Sequence, residues 1–345
     1  MSSPKAYVLL SKYHGSNQQL IALANQLVGE DHVLKITCEL RSRKKLFLPF
    51  FKLIFLLKRI VKPHGWLFKC LGKMALTECP HDIRPMDFII SKTPPFELPA
   101  LMLTAGTGAR SIHIGTPKRM KRSFFNTLIS TPSTPVSHAD IELEVLPTSL
   151  TFTEFQARKL KINRKSGVWL MLIGGDAKGI HYDSSDWDVL INELLNVARI
   201  NTIKWLVVTS PRSCLELENR LSESAEAYPK AFEGLVLWGE GDRTPIAECL
   251  ARSEVAVVTE DSASMISEAL NCRLPVFSCR PEASEYNSLT TPLVEHHEIC
   301  SHLKRFALVQ NELVERLTWL QNKHKPLTIC WAEELQRATQ KLYPH

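Results

Sequence analysis

The sequence predicts an α/β protein made of two doubly wound domains. Short apolar runs of strand character alternate with segments of helical period along the chain, and 345 residues are many for one such domain and natural for two. The stretch Val255–Val276 adds a third observation. The β-branched run Val255–Thr259 passes through the polar turn Glu260–Ser264 into a helix over Met265–Leu270, and Leu274-Pro275-Val276 opens the next strand. Such a turn aims the first free N–H groups of the helix at whatever lies above the sheet edge, usually phosphate. Glu268 lies one turn in, about 6 Å along the axis, where a carboxylate can reach a ribose diol while the turn holds a pyrophosphate. The plainer alternative is a capped core helix with a surface glutamate.

In the first half, Ala6–Leu10 is a strand, Ser11–Ser16 a polar turn, and Asn17–Val28 an amphipathic helix with Leu20, Leu23, Ala24 and Leu27 on one face. His32–Ile36 completes a βαβ unit. His14 then sits at the carboxyl end of the strands as a candidate general base, against the alternative of a solvated loop histidine. Leu46–Lys62 is strongly apolar, yet Lys45, Lys52, Arg59 and Lys62 recur on one side of a helix begun near Pro49 and ended by Pro63. From Arg41 to Lys73 there are ten Lys or Arg and no acid. That pattern suits a helix lying against an anionic membrane surface; the alternative is a buried helix whose lysines snorkel to water. Further strands are expected at Phe88–Ser91, Ser111–Ile114, Thr127–Ser130 and Ile141–Leu146, with a loop at 93–95 and a helix over Leu98–Ala105 closed by Gly106-Thr107-Gly108. Residues 1–150 therefore read as one domain. Lys118, Arg119, Lys121 and Arg122 follow a strand and face either an anion or solvent.

In the second half, Thr151–Ser166 has a helical pattern and a basic end that suits a hinge. Val168–Ile173 is a strand ending in Gly174-Gly175-Asp176. Paired glycines there let backbone N–H groups approach a phosphate, although many such turns need glycine for geometry alone. Helices at Trp187–Arg199, Leu215–Ser224 and Ile246–Ala251 alternate with strands at Trp205–Thr209 and Leu235–Trp238, and Ser210-Pro211-Arg212 follows the first of these strands. Gly174, Gly175, Arg212, Asp261, Ser262, Ser264, Met265 and Glu268 thus gather on one rim of a domain spanning 151–325. A polar loop over Arg280–Glu285, a helix over Glu312–Gln321 and a last amphipathic helix, Trp331–Leu342, complete the chain.

The formal net charge of +6 is confined to the basic block, leaving the rest slightly acidic. No nucleic-acid partner is expected. Nine cysteines are scattered singly, without Cys-x-x-Cys or zinc-like His spacing, and read as reduced, mostly buried thiols. No Asp-x-Asp pair stands on a strand-end loop, so neither metal nor cofactor is expected. No apolar run approaches the roughly 20 residues of a spanning helix, and the first strand follows Met1 too closely for a signal peptide. The expectation is a cytoplasmic chain, at most peripheral on the inner face of the membrane.

Asn17-Gln18, His113-Ile114-Gly115 with Pro117-Lys118-Arg119, Ile173-Gly174-Gly175, Thr209-Ser210-Pro211-Arg212 and the block from Val258 through Asp261–Met265 to Ser267-Glu268-Ala269 resemble the mitochondrial-fission-type family, which is similar in fold to GT-B glycosyltransferases. The last block also resembles the nucleotide-sugar loop of GT-B enzymes acting on lipid-linked sugars. That resemblance implies two Rossmann-like domains facing across a cleft, the helix of 326–345 returning to the first domain, a diphosphate on the Ser-rich turn and a ribose on Glu268. It implies a membrane-surface glycosyltransferase with a nucleoside-diphosphate sugar donor, or alternatively a non-catalytic, membrane-recruited adaptor. The chain departs from the family at Asn271-Cys272-Arg273-Leu274-Pro275, where a glycine before Lys-Pro is usual, and over Ser278 to Asn287.

Overall fold

The computed structural model describes residues 3–11, 14–37, 82–92, 96–118, 120–162 and 167–342, with His14 placed by its backbone alone. The expected membrane helix with Lys45, Lys52, Arg59 and Lys62, the loop 93–95, Arg119 and the end of the expected hinge lie outside the described residues. No helix among the described residues is long and apolar enough to cross a membrane. The chain forms two compact units, Met1–Ser149 with Trp331–His345, and Leu150–Cys330.

The first unit holds β1 (Ala6–Leu10), α1 (His14–Val28), β2 (Val33–Thr37), β3 (Phe88–Lys92), α2 (Glu97–Thr107), β4 (Arg110–Ile114), β5 (Thr127–Ser130) and β6 (Ile141–Glu142). The strands form one parallel sheet in the order β2-β1-β3-β4-β5-β6. Ala6 to Leu9 are fully buried, as a parallel strand covered on both faces requires. Helix α2 runs past Gly106 and ends at Gly108, whose φ of 76° provides the left-handed cap. The strand expected over Ile141–Leu146 shrinks to two residues, because Leu143, Val145 and Leu146 are buried by an irregular segment instead.

The second unit holds α3 (Phe152–Lys161), β7 (Val168–Leu172), α4 (Ser184–Asn201), β8 (Lys204–Val208), α5 (Leu215–Ala227), β9 (Phe232–Val236), α6 (Ile246–Arg252), β10 (Val255–Thr259), α7 (Ala263–Asn271), β11 (Val276–Arg280), α8 (Thr291–Ile299), β12 (Leu303–Ala307), α9 (Glu312–Arg316) and α10 (Thr318–Asn322). Its six-stranded sheet is also parallel, in the order β12-β11-β10-β7-β8-β9. Thr151 and Asp183 start α3 and α4 as capping boxes. The core on one sheet face is built around Trp205, which meets Trp169 edge-on at 5.7 Å and donates its indole N–H to the Leu194 carbonyl at 2.7 Å. Four elements differ from expectation. α8 and β12 are additional, β9 begins three residues early, and the helix over Glu312–Gln321 breaks at Leu317.

After Cys330 the chain rejoins the first unit through α11 (Trp331–Leu342). Trp331, Ala332 and Leu335 are buried as α11 packs on α1 and β6, and Glu334 accepts the Glu144 N–H at 3.0 Å.

Candidate functional site

The order of the second sheet reverses between β7 and β10, and it is outside the carboxyl ends of such strands that α/β sheets bind ligands. Here β10 turns into α7. Ser262 is the N-cap, its hydroxyl accepting the Met265 N–H at 3.4 Å. The N–H groups of Ala263 and Ser264, in the first turn, make no hydrogen bond among the described residues. Two donors therefore stand at the positive end of the helix.

Two buried acids precede the cap and serve opposite flanks of β10. Asp261 pairs with Arg212, from the loop after β8, at 2.6 Å. Burial pushes the Asp261 carboxyl up, while the Arg212 charge and the hydrogen bonds it accepts oppose that rise. Glu260 pairs with Arg305 of β12 at 2.8 Å and lies 3.7 Å from Arg280 of β11. Burial pushes this carboxyl up as well, against the pull of both arginines. The Arg212 side chain is 41% exposed, so its guanidinium is open to solvent beyond Asp261.

The paired glycines act differently from the expectation that they present N–H groups to phosphate. Gly174 donates to Thr259 Oγ1 at 2.7 Å and Gly175 to Asp261 Oδ2 at 3.2 Å, so both amides are already satisfied. Glycine is needed for close approach. A Cβ on Gly174 would fall 1.9 Å from Asp261 Oδ2, and one on Gly175 would fall 2.2 Å from the Arg212 carbonyl oxygen. The two residues make room for the Arg212–Asp261 pair. The Asp261 carboxylate is fully buried and is bonded to Arg212 and to the Gly175 N–H. The Met265 N–H is used by the cap and its side chain is buried.

Glu268 keeps its expected place one turn into α7. It is partly buried, and its carboxyl group has no hydrogen bond or ion pair among the described residues. Burial without a partner pushes it up to about 7. Arg212, Ser264 and Glu268 are thus the expected residues left available to a ligand, with Ser262 shaping the turn. His14 belongs to the first unit, where it begins α1 at the carboxyl edge of β1 instead of lying in a loop.

Glu260, Arg280 and Arg305 are members of this edge that sequence reasoning missed. The usable signal was the pair of consecutive acids at a strand end. Successive side chains leave a strand on opposite sides, and a buried acid needs a cation on each side. Without a strand assigned to 303–307, Arg305 had no position from which to be considered.

No curated protein matches the chain. Among solved structures, the UDP-GlcNAc 2-epimerase of Methanocaldococcus jannaschii is similar with a TM-score of 0.54, 12% identity and coverage of 98% of this chain and 99% of that one. MurG of Acinetobacter baumannii is similar with a TM-score of 0.52, 10% identity and coverage of 99% and 95%. At such identity the likeness shows the fold alone, which is the GT-B fold of glycosyltransferases such as MurG. The family described as Mitochondrial fission ELM1 matches residues 14–297, a span that takes in β10, α7 and the whole arginine–acid cluster except Arg305. The chain belongs to the Mitochondrial fission ELM1 family.

Proposed function

We propose that the chain is a membrane-surface glycosyltransferase whose second unit binds a nucleoside-diphosphate sugar, acting in cell-envelope glycan or lipid glycosylation. The observation that carries this reading is the start of α7. Free N–H groups, an arginine fixed by a buried aspartate and a partnerless glutamate one turn on stand together at the switch point of the sheet. The first two suit a diphosphate and the third suits a ribose diol. In the reaction the acceptor oxygen bonds to the anomeric carbon as the bond from that carbon to the phosphate oxygen breaks, and the nucleoside diphosphate leaves. Arg212 and the α7 N–H groups stabilise the charge that develops on the leaving phosphate, an effect able to supply several kcal/mol when the donors are fixed in advance. His14 is the candidate base for the acceptor hydroxyl, a role that contributes about 10²–10⁴ in rate. The basic block with Lys45, Lys52, Arg59 and Lys62 is the proposed membrane contact.

A thermal-shift panel of nucleoside diphosphates and their sugars tests the reading. A ligand at 100 times its dissociation constant stabilises the native state by about 2.7 kcal/mol. One nucleoside diphosphate and its sugars should raise the unfolding midpoint, and the sugar donor should be slowly hydrolysed. Vesicle binding without any nucleotide effect would instead favour the adaptor reading.

A further inference from the structure

Arg280 is a guanidinium without a hydrogen bond among the described residues. It ends β11, its side chain is only 25% exposed, and Glu260 Oε1 lies 3.7 Å away, beyond hydrogen-bond reach. That oxygen is already bound by Arg305 at 2.8 Å. A guanidinium carries five donors, and those of Arg280 are bonded by no protein acceptor among the described residues while the side chain stays open to solvent. Three neighbouring atoms are orphaned. Glu260 Oε2, Arg305 Nε and Ser278 Oγ are buried without partners, and Ser278 stands opposite Arg305 in the β11–β12 register. Two arginines share one carboxylate here, so the cluster has an excess positive charge and unfilled hydrogen-bonding capacity.

Its position relates that excess to α7. The Glu260 N–H bonds the Cys279 carbonyl at 2.8 Å, which puts Arg280 beside the β10–α7 turn on the β11 flank. Arg212 is held on the other flank through Asp261 and Gly175. Arg212 and Arg280 therefore come from opposite flanks of the strand that feeds the helix, each beside one of two consecutive acids. The two flanks are not equivalent. On the Arg212 side, the loop after β9 exposes Trp238, with the Arg243 guanidinium 3.6 Å from its ring centroid, and an aromatic face of this kind suits a nucleobase.

We infer that Arg280 is a second phosphate ligand of the donor site and binds the distal phosphate, the one that carries the sugar, while Arg212 serves the phosphate next to the nucleoside. Arg305 is its positioning residue. By taking Glu260 Oε1 it leaves the Arg280 donors for the ligand. This inference rests on the nucleotide-sugar reading above and adds a ligand that the reading lacks.

Calorimetric titration of the full chain with uridine, adenosine, guanosine and cytidine mono- and diphosphates, for wild type, Arg280→Met and Arg280→Lys, tests it. For the nucleoside that binds, Arg280→Met should weaken the diphosphate by about 10- to 150-fold, as for loss of a charge-assisted bond. It should change the monophosphate by less than about twofold, and Arg280→Lys should fall between, since lysine keeps the charge but not the fork. No loss for either ligand, or an equal loss for both with a lowered unfolding midpoint, overturns the inference and leaves the nucleotide site standing. A wild-type chain that binds no nucleotide overturns the donor-site reading beneath it.

Discussion

Replacing Glu268 separates a binding carboxylate from a structural one, because its two expected effects have opposite signs. Its carboxyl group is raised from 4.5 to about 7 by burial without a compensating partner. In the unfolded chain it ionises near 4.5, so between 4.5 and 7 the unfolded state loses its proton while the folded state keeps it. Stability present below pH 4.5 is therefore lost as pH rises through 7, and the loss levels off above that. A shift of this size corresponds to about 3 kcal/mol at 1.36 kcal/mol per unit, and partial exposure reduces it toward 2. Glu268→Gln removes the titration. Denaturant unfolding should show the variant no more stable than wild type at pH 4.5 and more stable by about 2–3 kcal/mol at pH 8. The same variant should bind the nucleoside diphosphate more weakly, and Glu268→Ala more weakly still, by about 10- to 150-fold. A gain in empty-state stability joined to a loss of affinity is the mark of a strained functional residue. A Glu268→Gln chain that is equally destabilised at both pH values, or a Glu268→Ala chain of unchanged affinity, refutes the reasoning.

Three further outcomes are expected. Gly174→Ala should lower stability by about 1–3 kcal/mol through overpacking against Asp261, and adding Asp261→Ala should cost less than the sum of the two single changes, because the clash disappears; strict additivity in denaturant melts would refute the contact. Liposome co-sedimentation should require anionic lipid and weaken with salt, since screening acts over about 8 Å at physiological ionic strength; equal binding to neutral vesicles would count against the basic block. Nucleotide binding should survive a chelator, because the proposed phosphate ligands are arginines and helix N–H groups; loss with chelator and recovery with Mg²⁺ or Mn²⁺ would refute it.

The turn from β10 to α7 was legible because it is local. A β-branched run, a capping serine and a short amphipathic helix are consecutive, and each declares itself by residue type. What surrounds the turn was not legible, because it is assembled from distant strands. Leu303-Lys304-Arg305-Phe306-Ala307 is an edge strand with two adjacent cations, a pattern that breaks strand alternation until Glu260 and Glu298 are known to receive them. Gly174-Gly175 shows the converse error. The glycines are visible in sequence, but whether they admit a ligand or a buried side chain depends on Asp261, which lies more than 80 residues away. Likewise β9 starts at Phe232 because Phe232 pairs with Trp205, ahead of a register shift that leaves Gly234 opposite Leu206, a tertiary fact that its own composition hides.

The division of the chain between its units also sets an order of events during synthesis. The second unit is one continuous segment, whereas the first is completed by α11, which is made after the whole of the second. At about 5–20 residues per second, the residues of the second unit take roughly ten to forty seconds to emerge. Through that interval the helix that packs on α1 and β6 does not yet exist. The partners that bury Trp331, Ala332 and Leu335 therefore precede the second unit in the chain while the helix follows it, so the first unit can be completed only after the second has been made.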